Sequence, residues 1–347
     1  MNILGKSLKY FIGELFFNLK ITKLPYMPKI SVVEITNACN YKCIFCPMNH
    51  SGKYIKKPIT RKKNFMSFEE FKRIISKYKH LMYNVNLSAH GEPLLHPDFK
   101  KIIKYLHNNH VSYSITTNAS LLSEDISNAL KKYPPAHIMI SLYTLDPEKY
   151  KELTQNGDLK TTLKNINYFL DNSNPKTKIK IRTLNISFLK NSKKEFLDYF
   201  KNRNIEFIFG VLNTWSGRVN ISELDNKNRI KQHLSKEQYC LQPWTQVFIH
   251  SNAGTYICNN DDNRPIGSLE KKTLKEIWNS EKYISLRKKM LKYGKKGVKK
   301  CRNCDTYTIE SISNKPSILF FFRRRFRERI LTTLGFKKNI DWTKEKK

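Results

Sequence analysis

The sequence predicts an α/β fold: a partial (βα)6 barrel, TIM-like but open on one side, followed by a small C-terminal cysteine-rich domain. Three observations predict it. Six short apolar, β-branched runs alternate with helix-period segments between residues 30 and 212, the pattern of parallel βα units. Six units fall short of a closed barrel. Beyond residue 239, four cysteines stand as Cys240, Cys258 and the C-x2-C pair Cys301 and Cys304.

The candidate strands are residues 30–36, 84–89, 113–117, 136–142, 178–184 and 206–212. Each is bounded by turn-type residues. The candidate helices are 68–79, 98–109, 124–132, 159–171 and 193–203. The first opens after Ser67 with Glu70 three residues on, a capping-box signature. Residues 1–28 form a basic, partly amphipathic lead-in, 29–212 the barrel, 213–239 a polar linker and 240–304 the second domain. Residues 305–347 form a basic tail, in which the apolar run 318–322 precedes Arg323, Arg324, Arg325 and Arg327. In βα barrels the loops at the C-terminal strand ends carry the chemistry, so the strand map is also a site map.

The chain has 347 residues, 39 % hydrophobic and 12 % aromatic, a globular composition. Lys and Arg number 64 against 29 Asp and Glu, a formal charge of +35. Joint enrichment in Lys, Asn and Ile fits an A/T-rich genome. The charge also fits an anionic partner: a phosphorylated substrate, nucleic acid or an acidic membrane surface. The tail has the composition of a membrane-surface anchor, or of a segment packed on the barrel's open side. The apolar patch at residues 10–17 contains Glu14 and no small-residue cleavage site, unlike a signal peptide. No stretch approaches the roughly 20 apolar residues of a spanning helix. A cytoplasmic location is expected, where seven cysteines point to metal or catalysis.

Cys39, Cys43 and Cys46 form C-x3-C-x2-C directly after the first strand. Three thiolates on one loop can converge on a cubane [4Fe–4S] cluster, which normally takes four ligands. Three leave one iron open for chemistry. Zinc is the alternative, with His50 as a fourth ligand. Cys240, Cys258, Cys301 and Cys304 suit either zinc or a fully ligated cluster.

The run Cys39-Asn40-Tyr41-Lys42-Cys43-Ile44-Phe45-Cys46, led in by Glu34-Ile35-Thr36-Asn37, resembles the signature of the radical S-adenosylmethionine (SAM) superfamily. The resemblance implies that SAM binds the open iron through its amino and carboxylate groups, with Phe45 near the adenine. Gly91-Glu92-Pro93, after the second strand, is similar to the family motif that holds the SAM amino group. Glycine permits close backbone approach, and Glu92 supplies an acceptor. Thr116-Thr117-Asn118 resembles a TNG-type segment in which Ala119 replaces the glycine. Ser141 stands where the family places a ribose or methionine contact, and Arg182 as a partner for the SAM carboxylate.

Residues 240–304 resemble the auxiliary-cluster extension of these enzymes, called SPASM in its longer form and twitch in its shorter. The shared features are Cys240 with Pro243-Trp244, Gly254 and Tyr256 before Cys258, Ile266-Gly267-Ser268-Leu269, Trp278, Leu286-Arg287, and Cys301-x2-Cys304. The longer form's extra C-x5-C-x3-C run is missing, so the shorter form fits better. The resemblance implies an auxiliary [4Fe–4S] cluster held by these four cysteines.

All seven cysteines are then assigned. A fully ligated auxiliary cluster would transfer electrons, making the net reaction an oxidation. No thiol remains to donate hydrogen, which disfavours epimerisation, and no open auxiliary iron remains for methylthio transfer. The expected enzyme is a dehydrogenase-type oxidoreductase acting on a sugar, polyol or aminocyclitol, free or linked to phosphate or nucleotide. Its reductant would be of flavodoxin or ferredoxin type. A peptide-modifying maturase is the alternative. A basic RNA-binding protein with structural zinc is a third reading, but no RNA-reading motif with paired aromatics is present. Candidates for the catalytic base are His90, His96, Tyr143, Glu34 and Arg182. The basic run Lys53, Lys56, Lys57, Arg61, Lys62 and Lys63 is either a solvated loop or a cover that attracts phosphate.

Overall fold

The computed structural model describes residues 3–184, 186, 189, 192–210, 212–220, 222, 224, 239–260 and 264–305. The basic tail and most of the linker lie outside the described residues. Each βα unit is built from a strand with an apolar inner face and an amphipathic helix. Strand β1 (Lys29–Val33) leads to α2 (Phe68–Tyr78), after an N-terminal helix α1 (Ile3–Asn18). Then come β2 (Val85–Asn86), α3 (Phe99–Asn108), β3 (Tyr113–Thr117), α4 (Glu124–Lys132) and β4 (His137–Ser141). Helices α5 (Pro147–Thr154) and α6 (Leu159–Asn172) precede β5 (Lys178–Leu184), and α7 (Ser192–Tyr199) precedes β6 (Glu206–Gly210). On α3, Phe99, Ile102, Ile103 and Leu106 are buried, the i, i+3, i+4, i+7 stripe of a core-facing helix.

The second cysteine-rich region continues the same sheet. Its strands are β7 (Gln246–Ile249), β8 (Gly254–Tyr256) and β9 (Gly267–Ser268), and the order is β6-β5-β4-β3-β2-β1-β7-β8-β9. Pairing is parallel from β6 through β1 to β7 and antiparallel from β7 to β9. The sheet is therefore open, as the sequence predicts.

Three expectations change in detail. Strand β2 has two paired residues where six were expected. The Ser67 hydroxyl accepts from the Glu70 amide at 3.2 Å, but the Glu70 carboxylate turns to Arg73, so the capping box is only half made. The complete box is Thr273 with Glu276. The lead-in is a helix that docks on the second region: a methyl on Gly13 would stand 2.4 Å from Thr245 Cγ2. Tyr26 donates to the Trp244 carbonyl (2.7 Å) and Trp244 to that of Ile21 (2.9 Å). Arg287, fully buried against Trp278 and Tyr283, donates to the carbonyls of Pro243 and Thr22 at 2.8 Å.

Among the described residues, no helix is long and apolar enough to cross a membrane.

Candidate active site

The loop from β1 carries Cys39, Cys43 and Cys46. It is pinned from outside by α5: the amides of Lys42 and Ile44 donate to the carbonyls of Thr154 and Leu153 at 3.1 and 3.0 Å. Asn49 closes it from within, donating to the Lys42 carbonyl at 2.7 Å. None of the seven cysteines forms a disulfide.

The three thiols share one electrostatic environment. Burial, then Glu92, pushes Cys39 up to about 12. Burial, then Cys46 and Cys39, pushes Cys43 well above the usual thiol range. Burial raises Cys46 as well, against backbone amides of Met48 and Asn49. Such thiols ionise only when a positively charged group draws their charge. A single zinc ion would need sulfurs about 4 Å apart, given bonds of about 2.3 Å in a tetrahedron. Among the described residues, the one trio of metal-binding side chains with ligand atoms within 4.8 Å of one another is Glu34, His90 and His250, not any three cysteines. His50 is engaged elsewhere, its Nε2 3.0 Å from the Ile59 carbonyl oxygen.

Gly91 lies flat against the cysteine loop. An added Cβ would stand 2.4 Å from the Thr36 oxygen and 2.6 Å from that of Ala38, so only glycine permits this approach. It places Glu92, which is 2 % exposed. Its carboxylate accepts from the Thr117 hydroxyl (2.7 Å) and the amides of Asn118 (2.8 Å) and Leu94 (3.1 Å). Burial lifts its pKa to about 7, against the hydrogen bonds from Asn118, Thr117 and Leu94. One acceptor position remains, beside Cys39, and a ligand ammonium fits it. Pro93 begins the short 3-10 turn that Glu92 caps.

Asn118 spans the two motifs: its amide donates to Asn40 Oδ1 at 3.0 Å and lies 4.0 Å from Cys39 Sγ. Phe45, Ser141 and Arg182 come together around Tyr143. The rings of Phe45 and Tyr143 meet edge to face at 5.2 Å. Ser141, at the end of β4, is opposite Arg182 on β5 and hydrogen-bonds Tyr143. Burial raises the Tyr143 phenol, against the nearby Arg182 charge. Arg182 is exposed.

Among the base candidates, His96 has both ring nitrogens engaged, by the Met66 carbonyl (2.9 Å) and the Asp98 amide (3.0 Å). Glu34 and His90 meet in a buried group with Arg61, His250 and Ser251. The Glu34 carboxylate takes a forked pair from Arg61 at 2.8 and 3.0 Å and lies 3.1 Å from His90 Nδ1. The Ser251 amide and hydroxyl add bonds of 3.3 and 3.1 Å. Burial alone would raise the Glu34 carboxyl; His250, His90 and Arg61 outweigh it and hold it well below the usual range. Sequence reasoning placed Arg61 in a basic surface run. Its side chain is in fact 5 % exposed, while Lys53, Lys56, Lys57, Lys62 and Lys63 are exposed. His250, Ser251 and Trp215 were missed. The available signal was the apolar run before His250, which marks another strand end.

Of the second set, Cys240 precedes the short helix Gln242–Thr245, and Cys258 follows β8. Cys301 and Cys304 follow the turn Gly294–Gly297, the Cys304 amide donating to the Cys301 carbonyl at 3.0 Å. The segment after β6 packs against them: the Thr214 amide donates to Asp305 Oδ2 at 2.7 Å. The described part of the linker is thus fixed to both cysteine regions, Asn220 donating to the Tyr54 carbonyl.

A family model described as the radical SAM superfamily matches residues 33–201, and one described as an iron–sulfur cluster-binding domain, SPASM, matches residues 240–305. The chain belongs to the radical SAM superfamily and carries a C-terminal SPASM-type domain. Its cofactors are accordingly SAM, a SAM-binding [4Fe–4S] cluster and an auxiliary iron–sulfur cluster. Among curated proteins it is similar to a probable GTP 3',8-cyclase of Methanococcus vannielii, 32 % identical over 49 % of this chain and 54 % of that protein. It is also similar to the GTP 3',8-cyclase of Clostridium botulinum, 33 % identical over 39 % of this chain and 41 % of that protein. The chain spans about half the length of these relatives. Among solved structures, SuiB of Streptococcus suis bound to precursor peptide SuiA matches with a TM-score of 0.61 and 18 % identity, over 78 % of this chain and 69 % of SuiB. BtrN in complex with AdoMet and 2-DOIA matches with a TM-score of 0.53 and 18 % identity, over 82 % of this chain and 95 % of BtrN. These two likenesses concern the fold.

Proposed function

We propose that this radical SAM enzyme is a dehydrogenase-type oxidoreductase that oxidises a carbinol of a small sugar, polyol or aminocyclitol. The observation that carries it is the division of the seven cysteines into three on the β1 loop and four in the second region. When bound, the three-cysteine cluster with SAM supplies a hydrogen-abstracting 5′-deoxyadenosyl radical, and the four-cysteine cluster supplies a one-electron acceptor.

The chain's own residues do the rest. Cys39, Cys43 and Cys46 hold the first cluster and leave one iron for SAM. Gly91 lets the backbone approach, Pro93 starts the turn, and Glu92 accepts from the SAM ammonium. Asn118 fixes the cysteine loop. Phe45 lies along the adenine, Ser141 binds the ribose or methionine part, and Arg182 pairs with the carboxylate. Cys240, Cys258, Cys301 and Cys304 saturate the second cluster. A cytoplasmic location and a flavodoxin- or ferredoxin-type donor follow from this chemistry.

The test is anaerobic reconstitution, reduction with dithionite, and a screen of carbon-deuterated myo-inositol, scyllo-inosamine and glucose 6-phosphate. Deuterium in 5′-deoxyadenosine together with a ketone product supports the reading. Transfer from peptides alone would move it to a maturase.

A further inference from the structure

The buried group at the ends of β1, β2 and β7 holds no cysteine, and its members other than Glu34 lie outside the motifs that resemble the SAM signature. Its charges decide what it can do. Glu34 is already committed to Arg61, Ser251 and His90, five contacts in all, and a carboxylate offers about four lone-pair sites. A metal ion at Glu34, His90 and His250 would find no spare carboxylate oxygen and would face the Arg61 cation. The guanidinium takes the place of the cation.

The nitrogens come next. The His90 side chain is fully buried, with Nδ1 3.1 Å from Glu34 Oε2 and 2.9 Å from Arg61 Nη2. An ionised carboxylate is the stronger acceptor, and Arg61 already forks onto it. Nδ1 therefore carries the proton and donates to Glu34. Nε2 is left as a bare lone pair, buried and without a hydrogen-bond partner among the described residues. Both ring nitrogens of His250, centred 5.4 Å from His90, are also without one. A buried polar atom left without a partner forfeits its hydration with nothing in return. Three of them in two adjoining rings mark the seat of a polar guest.

One wall of this seat is held in tension. Trp215 lies over His90, with ring centres 5.6 Å apart. Trp215, Ser216 and Gly217 are all left-handed, with φ of 51°, 60° and 81°. Non-glycine residues adopt that conformation only against crowding of Cβ by the following carbonyl oxygen. The Asp305 bond to Thr214 beside the second cysteine set holds it, so His90 lies between elements of both cysteine regions.

We propose that His90 is the base that takes the hydroxyl proton of the substrate carbinol, with Glu34 and Arg61 as positioning residues and His250 binding a substrate hydroxyl. This rests on the oxidation reading above. Oxidising a carbinol to a ketone removes a hydrogen atom from carbon, a proton from oxygen and one electron. When bound, SAM with its cluster would supply the acceptor for the hydrogen atom, and the oxidised auxiliary iron–sulfur cluster would supply the acceptor for the electron. The O–H bond breaks heterolytically, its electron pair stays on oxygen, and the proton goes to Nε2. A carboxylate-held imidazole suits that task.

Two measurements test this on the full, reconstituted chain. The first is NMR of 15N-histidine-labelled protein with oxidised clusters, His90 being assigned from its loss in His90→Gln. The expected signal is a neutral ring protonated on Nδ1; a proton on Nε2 instead overturns the proposal. The second compares His90→Gln with the unaltered enzyme on the deuterated polyols named above. Deuterium transfer should stay within about twofold while ketone falls about 10²–10⁴-fold, and imidazole should restore ketone in His90→Gly. Unchanged ketone, or equal loss of both signals, overturns it. If the unaltered enzyme moves no deuterium from any polyol, the oxidation reading itself falls, whereas loss of the proposal alone leaves transfer and ketone intact in His90→Gln.

Discussion

The carboxylate of Glu92 accepts a 2.7 Å hydrogen bond from the hydroxyl of Thr117, which joins the loop after β2 to the end of β3. That bond aims a buried carboxylate at the cysteine loop. In Glu92→Gln the size is kept and the charge is lost. SAM affinity should fall about 10–100-fold, the loss of one charged hydrogen bond. Iron content should stay unchanged. Calorimetric titration with SAM checks this; unaltered affinity would remove Glu92 from the SAM site.

Gly91→Ala should be more damaging, because the three nearest atoms, 2.4 to 2.8 Å from the new methyl, are all backbone. The strands cannot yield as a flexible side chain would. A loss of more than about 2 kcal/mol in stability is expected, with poor cluster retention. Anaerobic thermal unfolding and iron analysis read both; a native melting curve would contradict the close approach.

The cysteine division predicts metal counts. Reconstituted protein should hold about eight irons and eight sulfides, as two cubanes require. Cys43→Ala and Cys258→Ala should each retain about four, and only the first should lose 5′-deoxyadenosine formation outright. One zinc with four irons would leave the second site without electron-accepting capacity.

His250 makes the fold sensitive to mild acid. Burial holds its pKa down to about 3, whereas an unfolded histidine titrates near 6.5. Between these values the unfolded chain binds the extra proton, so stability falls as pH falls. From pH 7 to pH 5 the loss is about 2 kcal/mol, at 1.36 kcal/mol per unit. Glu34 acts in the same direction, but only below its ordinary range near 4.5. Urea unfolding at pH 7 and pH 5 should show this difference in the unaltered chain and little of it in His250→Gln. An equal loss in both would place the acid sensitivity elsewhere.

Much of the fold was legible because it is local. β3, β5 and α4 begin and end where apolar spacing and turn residues place them. β2 was overread: Leu87 and Ala89 continue the apolar alternation past Asn86, yet the chain bends at residue 89 and brings Gly91 onto the β1 loop. α1 lacked a readable purpose because its docking partners, Trp244 and Thr245, stand more than two hundred residues away. A similar distance hid His250 and Ser251, whereas Arg61 was hidden by its neighbours in sequence. A lysine-rich run gives no sign that one arginine turns inward to a glutamate 27 positions earlier. The cysteines and Gly91-Glu92-Pro93 stood out as candidates because each motif lies within a few consecutive residues and resembles a family pattern.

The pairing of β1 with β7 has a consequence for synthesis. β1 is made first, but one of its two neighbours is β7, whose last residue is Ile249. Until some two hundred further residues leave the ribosome, β1 offers an open hydrogen-bonding edge to other chains. The Trp244 and Arg287 anchors of the N-terminal segment arrive equally late. The nascent barrel half therefore waits, edge exposed, for the SPASM-type domain to close it, and truncation before residue 249 should yield aggregate rather than a smaller enzyme.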